Sequence, residues 1–137
     1  MKIEGFYSIH DRLVRAKLSQ EQSAALRQTE IGAWKGMQEK TNKVTEKILA
    51  DAEMVRVFGL ENKSVDEVSK IMLITSVPYS KDEISKIVDE KVNDNFRLKA
   101  GHLGHTNKLK EMLTGALVND TALNKYFNLI SEILAHQ

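Results

Sequence analysis

The fold of this chain is decided by residues 19–58, which read SQEQSAALRQTEIGAWKGMQEKTNKVTEKILADAEMVRVF. These forty residues contain no proline, and from Trp34 onward their mostly apolar positions recur every three or four residues. That spacing places side chains on one stripe of a helix and predicts a long helix over 19–58. The stripe, here called the seam, consists of Trp34, Met37, Thr41, Val44, Ile48, Ala52, Val55 and Phe58.

The two ends of this stretch carry residues that are typical of helix caps. Ser19 followed by Gln22 is a capping box, in which the hydroxyl and the amide satisfy free backbone N–H groups. Gly59 directly follows Phe58, where a glycine ends helices by adopting a left-handed conformation. Both signals support a helical spine between them.

Two glycines interrupt the stretch. Each of Gly32 and Gly36 costs about 1 kcal/mol relative to alanine inside a helix, and Leu26 and Ile31 do not continue the seam register. We therefore expect a kink or break at 31–36. Alternatively, the same glycines allow another helix to approach closely at this point.

The chain contains one internal sequence repeat, in which residues 80–88 resemble residues 64–72. Both copies begin with a capping box, and Pro78 between them requires a turn. The pattern predicts a helical hairpin. DNA reading by this hairpin is disfavoured because its second helix opens with acidic side chains, which phosphate would repel. The two capping boxes are Ser64 with Glu67 and Ser80 with Glu83.

The remaining sequence also favours helices. Ser8 caps a helix to about residue 17, residues 1–7 are compatible with a short extended arm, and residues 100–105 should form a loop before a helix capped by Thr106. Residues 119–121 separate that helix from a last one. We predict an all-α fold: one domain over 1–137, a bundle of five or six helices with the long, kinked helix as its spine.

Composition excludes several classes of protein. The net charge is +1, there is no cysteine, and no apolar run reaches the length of about 20 residues that a membrane span needs. The N-terminus lacks the apolar run of a signal peptide, which leads us to expect a cytoplasmic protein without a membrane contact. No catalytic serine turn is present, so we expect no enzyme, no cofactor and no bound metal.

One segment is locally basic. The window 95–110 has no acidic residue and holds two histidines three residues apart. Its glycines and the predicted helix start at Thr106 could present N–H groups to phosphate or carboxylate. The candidate anion- or nucleic-acid-binding residues are Arg97, Lys99, His102, His105, Lys108 and Lys110.

The seam provides the main functional hypothesis. It is longer than one short helix can cover, so either several helices of the same chain or a second copy must pack along it. We expect a non-enzymatic protein–protein interaction or regulatory module of the adaptor, inhibitor or chaperone kind, acting as a homodimer. The predicted partner-binding residues are Trp34, Met37, Val44 and Ile48. The alternatives are a nucleic-acid-associated regulator using the basic 97–110 segment, helped by Arg12 and Arg15, and an anion binder at 101–107.

Overall fold

A computed structural model describes residues 8–74, 76–96 and 103–136 of the chain. Within these residues the secondary structure is entirely helical. The helices are α1 (Ile9–Arg15), α2 (Gln20–Leu49), α3 (Ala52–Phe58), α4 (Val65–Met72), α5 (Lys81–Asn95), α6 (Leu103–Val118) and α7 (Thr121–Ala135). The all-α class is confirmed. The predicted arm at 1–7 lies outside the described residues.

The described helices number seven rather than five or six, because the predicted spine is two helices. α2 ends at Leu49, and Asp51 caps α3 by accepting the N–H groups of Glu53 at 3.0 Å and Met54 at 3.2 Å. The predicted extent of 19–58 is therefore wrong. The break lies at Asp51, directly before the seam residue Ala52, because the carboxylate satisfies the N–H groups of a new helix start.

α2 has no break at 31–36, because it runs without interruption for 30 residues, about 45 Å at the usual helical rise, so this part of the expectation is wrong. The alternative reading of the glycines is confirmed at Gly36. A Cβ atom there would lie 2.9 Å from Cγ of Asp120, and closer still to one carboxylate oxygen. A Cβ atom at Gly32 would have nothing within 4 Å. Gly36 thus allows the start of α7 to pack against α2.

The predicted caps are mostly confirmed. Ser19 and Gln22 form a capping box, with both hydrogen bonds at 3.0 Å, and Gly59 ends α3 at a φ of 65°. Ser8 accepts the N–H of Asp11 at 3.1 Å, which fixes the start of α1.

The two copies of the internal repeat differ in their N-terminal caps and in their packing. Ser64 and Glu67 form the predicted capping box, whereas the side chain of Ser80 makes no capping hydrogen bond. Glu83 reaches one residue further back and accepts the N–H of Tyr79 at 3.0 Å. The two helices also have different main neighbours, because α4 packs chiefly on α2 and α5 chiefly on α6.

α6 begins earlier than predicted. Leu103, Gly104 and His105 are helical, so the loop at 100–105 is wrong for these three residues, and Thr106 lies buried inside the first turn instead of capping it. Thr106 is part of the buried stripe of α6 that continues through Leu109, so its hydroxyl does not lie at the end of the helix. Residues 100–102 lie outside the described part of the chain.

α2 is the central element of the packing. Helices α4, α6 and α7 lie along it, and α7 contributes the largest apolar face. A buried polar link joins α4 to α2: the hydroxyl of Ser69 donates to Oγ1 of Thr45 at 2.8 Å, and Thr45 donates to the carbonyl of Thr41 at 2.9 Å. The buried positions of α2 are Ala33, Gly36, Met37, Thr41, Val44, Thr45 and Ile48.

Candidate functional site

The inner face of α2 is covered by the chain itself. Met37, Val44 and Ile48 are exposed by 0%, 3% and 1%, and they belong to the common hydrophobic core. Trp34 is only half-buried and lies at the edge of that core. Of the four predicted partner-binding residues, Trp34 is therefore the one that a partner can reach without opening the fold.

Trp34 lines the wall of a surface groove between α2 and the loop before α5. The groove has a volume of about 540 Å³. Ile31, half of whose surface is exposed, lies beside Trp34 and is one of two large apolar side chains exposed in the described part of the chain. The lining residues are Glu30, Ile31, Trp34, Lys35, Gln38, Ser76, Val77 and Tyr79.

One end of the groove is polar, and a hydrogen bond fixes the carboxylate that lies there. The hydroxyl of Tyr126 on α7 donates to Oε2 of Glu30 at 3.0 Å, which orients this carboxylate at the groove wall. Burial, and then the negative charge of Glu30, raise the pKa of Tyr126. Burial, Glu30 and Glu83 likewise raise the pKa of Tyr79. Both tyrosines therefore stay neutral, and the carboxylates give this end of the groove a negative field.

The first three turns of α2 are exposed on most sides. A second concavity of about 440 Å³ lies beside them and is lined in part by Ala24, Arg27 and Gln28. Five exposed positions follow one another along the same side of the helix at spacings of three and four residues. We call them the outer row of α2: Glu21, Ala24, Gln28, Ile31 and Lys35. This row contributes residues to both concavities.

The side chains of the predicted basic segment make separate contacts with carboxylates. His105 Nε2 lies 2.8 Å from Oε1 of Glu53, and Lys108 Nζ lies 3.6 Å from Oδ2 of Asp51. Lys110 Nζ lies 3.8 Å from a carboxylate oxygen of Asp89 on α5. The sequence window held no acid, but the fold brings one to each of these three residues, which lowers the local positive potential.

The remaining members of that predicted site are Arg97, Lys99 and His102, and all three lie outside the described residues, as does Gly101.

The ion-pair partner of Lys108, Asp51, has a lowered pKa. The N–H of Met54, followed by the positive charge of Lys108, lowers the pKa of Asp51, whereas burial acts in the opposite direction. These contacts hold the α2–α3 corner against α6.

Two further searches of the described residues are negative. No group of three or more histidine, aspartate or glutamate side chains in them is arranged to hold a metal ion. Among the helices of 8–74, 76–96 and 103–136, none combines the length and the apolar character needed to cross a membrane.

Comparison with known proteins gives no relative. No protein-family model, no curated protein and no solved structure matches this chain. The site must therefore be argued from its own geometry.

Sequence reasoning named Trp34 but missed Ile31, Val77 and Tyr79. A signal for Ile31 was present, because this residue is out of register with the seam and a helical residue outside the buried stripe faces elsewhere. No comparable signal existed for Val77 and Tyr79. Their position beside α2 depends on how the loop before α5 crosses the helix, which local patterns do not encode.

Proposed function

We propose that this protein is a non-enzymatic protein–protein interaction or regulatory module that self-associates, and that its contact surface is the groove beside Trp34 and Ile31. The observation that carries the proposal is the exposed Ile31 next to the half-buried Trp34 in an open groove. Neighbouring apolar side chains that are exposed within a polar rim mark interaction sites, and tryptophan is enriched in binding hot spots.

The character of the groove supports a protein partner over a small ligand. Its apolar residues lie on a helix and a neighbouring loop, and charged side chains border them, as in the apolar centre and polar rim of protein interfaces. The groove is open along α2 and does not enclose a ligand on most sides, as small-molecule pockets do.

The test uses two matched variants. Ile31→Glu places a charge in the groove, and Val14→Glu places the same charge at an apolar side chain that is 71% exposed on α1 and outside the groove. Light scattering over a range of concentrations measures self-association. Binding of other proteins is measured by cross-linking in extracts of the source cell.

We expect wild type and Val14→Glu to associate, and Ile31→Glu to lose the association. The chain has a single tryptophan, so the fluorescence of Trp34 should change on dilution in the two associating proteins. A wild type that is monomeric at all concentrations, together with cross-linking that Ile31→Glu leaves unchanged, would overturn the proposal.

A further inference from the structure

We infer that two copies of this chain associate through the outer row of α2, with their α2 helices antiparallel and a two-fold axis at Gln28. This inference rests on the self-association proposed above and adds the register and the residues that meet. The second copy is the occupant of the face, and the argument for it is charge complementarity along one helix.

The outer row has no cover within the described residues. All five of its positions are exposed, and the two concavities lie end to end beside it. The two charged residues of the row also lack an ion-pair partner in the described part of the chain, since neither Glu21 nor Lys35 takes part in an ion pair there. The face thus presents charges of both signs that are available to another molecule.

The order of these charges selects an antiparallel partner. A two-fold axis at Gln28 brings together residues that are equally far from Gln28 on its two sides. Glu21 lies seven residues before Gln28 and Lys35 lies seven residues after it. Glu21 therefore meets Lys35 of the partner subunit, and the symmetry repeats this pair at the other end of the contact.

The same charges disfavour the parallel arrangement. If the helices ran side by side in the same direction and register, Glu21 would face Glu21 of the partner subunit, and Lys35 would face Lys35 of the partner subunit. Like charges across an interface are unfavourable and disfavour that arrangement.

Small residues allow the helices to approach closely. In the antiparallel register Ala24 lies at the level of Gly32 of the partner subunit, and both residues are small. The space where a Cβ atom of Gly32 would stand is empty within 4 Å. Neither residue therefore holds the two helices apart.

Exchange of charges tests this register. Glu21→Lys alone and Lys35→Glu alone each convert two attractive pairs into two repulsive ones, and we expect each to weaken the dimer by about 30-fold. Mixed in equal amounts, the two variants form a heterodimer in which every pair is attractive again. Analytical ultracentrifugation and native mass spectrometry measure the affinity and the composition.

The matched controls are Glu46→Lys and Lys43→Glu, which reverse exposed charges further along α2 and outside the contact. We expect each control to dimerise as wild type does, and their mixture to show no preference for the heterodimer. Circular dichroism confirms that all four variants fold.

The outcomes separate this inference from the proposed function. If wild type dimerises but Glu21→Lys and Lys35→Glu neither weaken the dimer nor prefer each other, the register is wrong and self-association stands. If the wild type is monomeric but Ile31→Glu abolishes cross-linking to another protein, the inference of a second copy is wrong. The proposal of an interaction module then stands, with that other protein in the groove.

Discussion

Replacing Gly36 by alanine should destabilise the fold, although alanine is the better helix former. The added methyl group would stand 2.9 Å from Cγ of Asp120, whose side chain is 5% exposed and accepts the N–H of Leu123 at 2.9 Å. The carboxyl group must move, and the N-terminal cap of α7 is lost with it. The substitution therefore destabilises the start of α7 and its packing on α2.

The magnitude follows from three contributions. Overpacking costs about 2 kcal/mol, loss of an aspartate cap costs about 1 kcal/mol, and the higher helix propensity of alanine returns about 1 kcal/mol. We expect Gly36→Ala to lower the free energy of unfolding by about 2 kcal/mol, equivalent to a fall in Tm of about 7 °C for a chain of this length. Urea and thermal unfolding followed by circular dichroism measure both quantities.

Gly32→Ala is the matched control, because a Cβ atom at that position meets nothing within 4 Å. It should stabilise the protein by up to about 1 kcal/mol, measured at low concentration so that association does not contribute. In an Asp120→Ala background, Gly36→Ala should cost much less. Equal effects of the two glycine substitutions, or no coupling to Asp120, would refute the reasoning.

Three further predictions concern the buried hydroxyls, the tyrosine and the basic segment. Thr45→Val removes the acceptor of the buried Ser69 hydroxyl and should cost about 2 kcal/mol in urea unfolding; an unchanged midpoint would show that the link contributes nothing. Tyr126→Phe should cost about 1 kcal/mol at neutral pH. Because the folded-state pKa of Tyr126 is raised above its ordinary value of 10.0, the unfolded state loses this proton first, and stability falls above about pH 10. The variant should show a smaller fall in a pH series of unfolding curves, and parallel curves would contradict this. We expect labelled duplex DNA to have the same anisotropy with the wild type as with the variant in which Lys108 and Lys110 are both replaced by glutamate. This should hold between about 50 and about 200 mM salt. Steeply salt-dependent binding by the wild type, lost in the variant, would instead support a nucleic-acid function.

The features that local chemistry controls could be predicted from sequence. The capping box of Ser19 with Gln22 and the left-handed Gly59 depend on residues a few positions apart, and the structure confirms both. The burial stripe from Met37 to Ile48 follows from helical periodicity alone.

The errors arose where two local signals competed. At Asp51 the periodicity favoured a continued helix, and the carboxylate favoured a new cap, which the structure contains. At Thr106 the hydroxyl favoured a cap, but burial of the stripe that begins there extended α6 back to Leu103. In each case one of the two local signals prevails, and the local pattern alone does not report which.

The candidate site was harder to predict than the fold. The basic residues Lys108 and Lys110 formed a continuous patch in the sequence, but acids from α5 and the α2–α3 corner reach them in the structure. Conversely, Ile31 was treated as a register defect and is the exposed apolar residue of the groove. Distant parts of the chain determine both results.

The central claim is that two parts of α2 have different roles: residues 37–48 pack within the chain, and the outer row between residues 21 and 35 is left for association. Amide hydrogen exchange along α2, measured at low and high protein concentration, tests it most directly. The account predicts that protection between residues 20 and 35 rises with concentration, while protection between residues 37 and 48 is high at both concentrations. Uniform protection along the whole helix, unaffected by concentration, would contradict it.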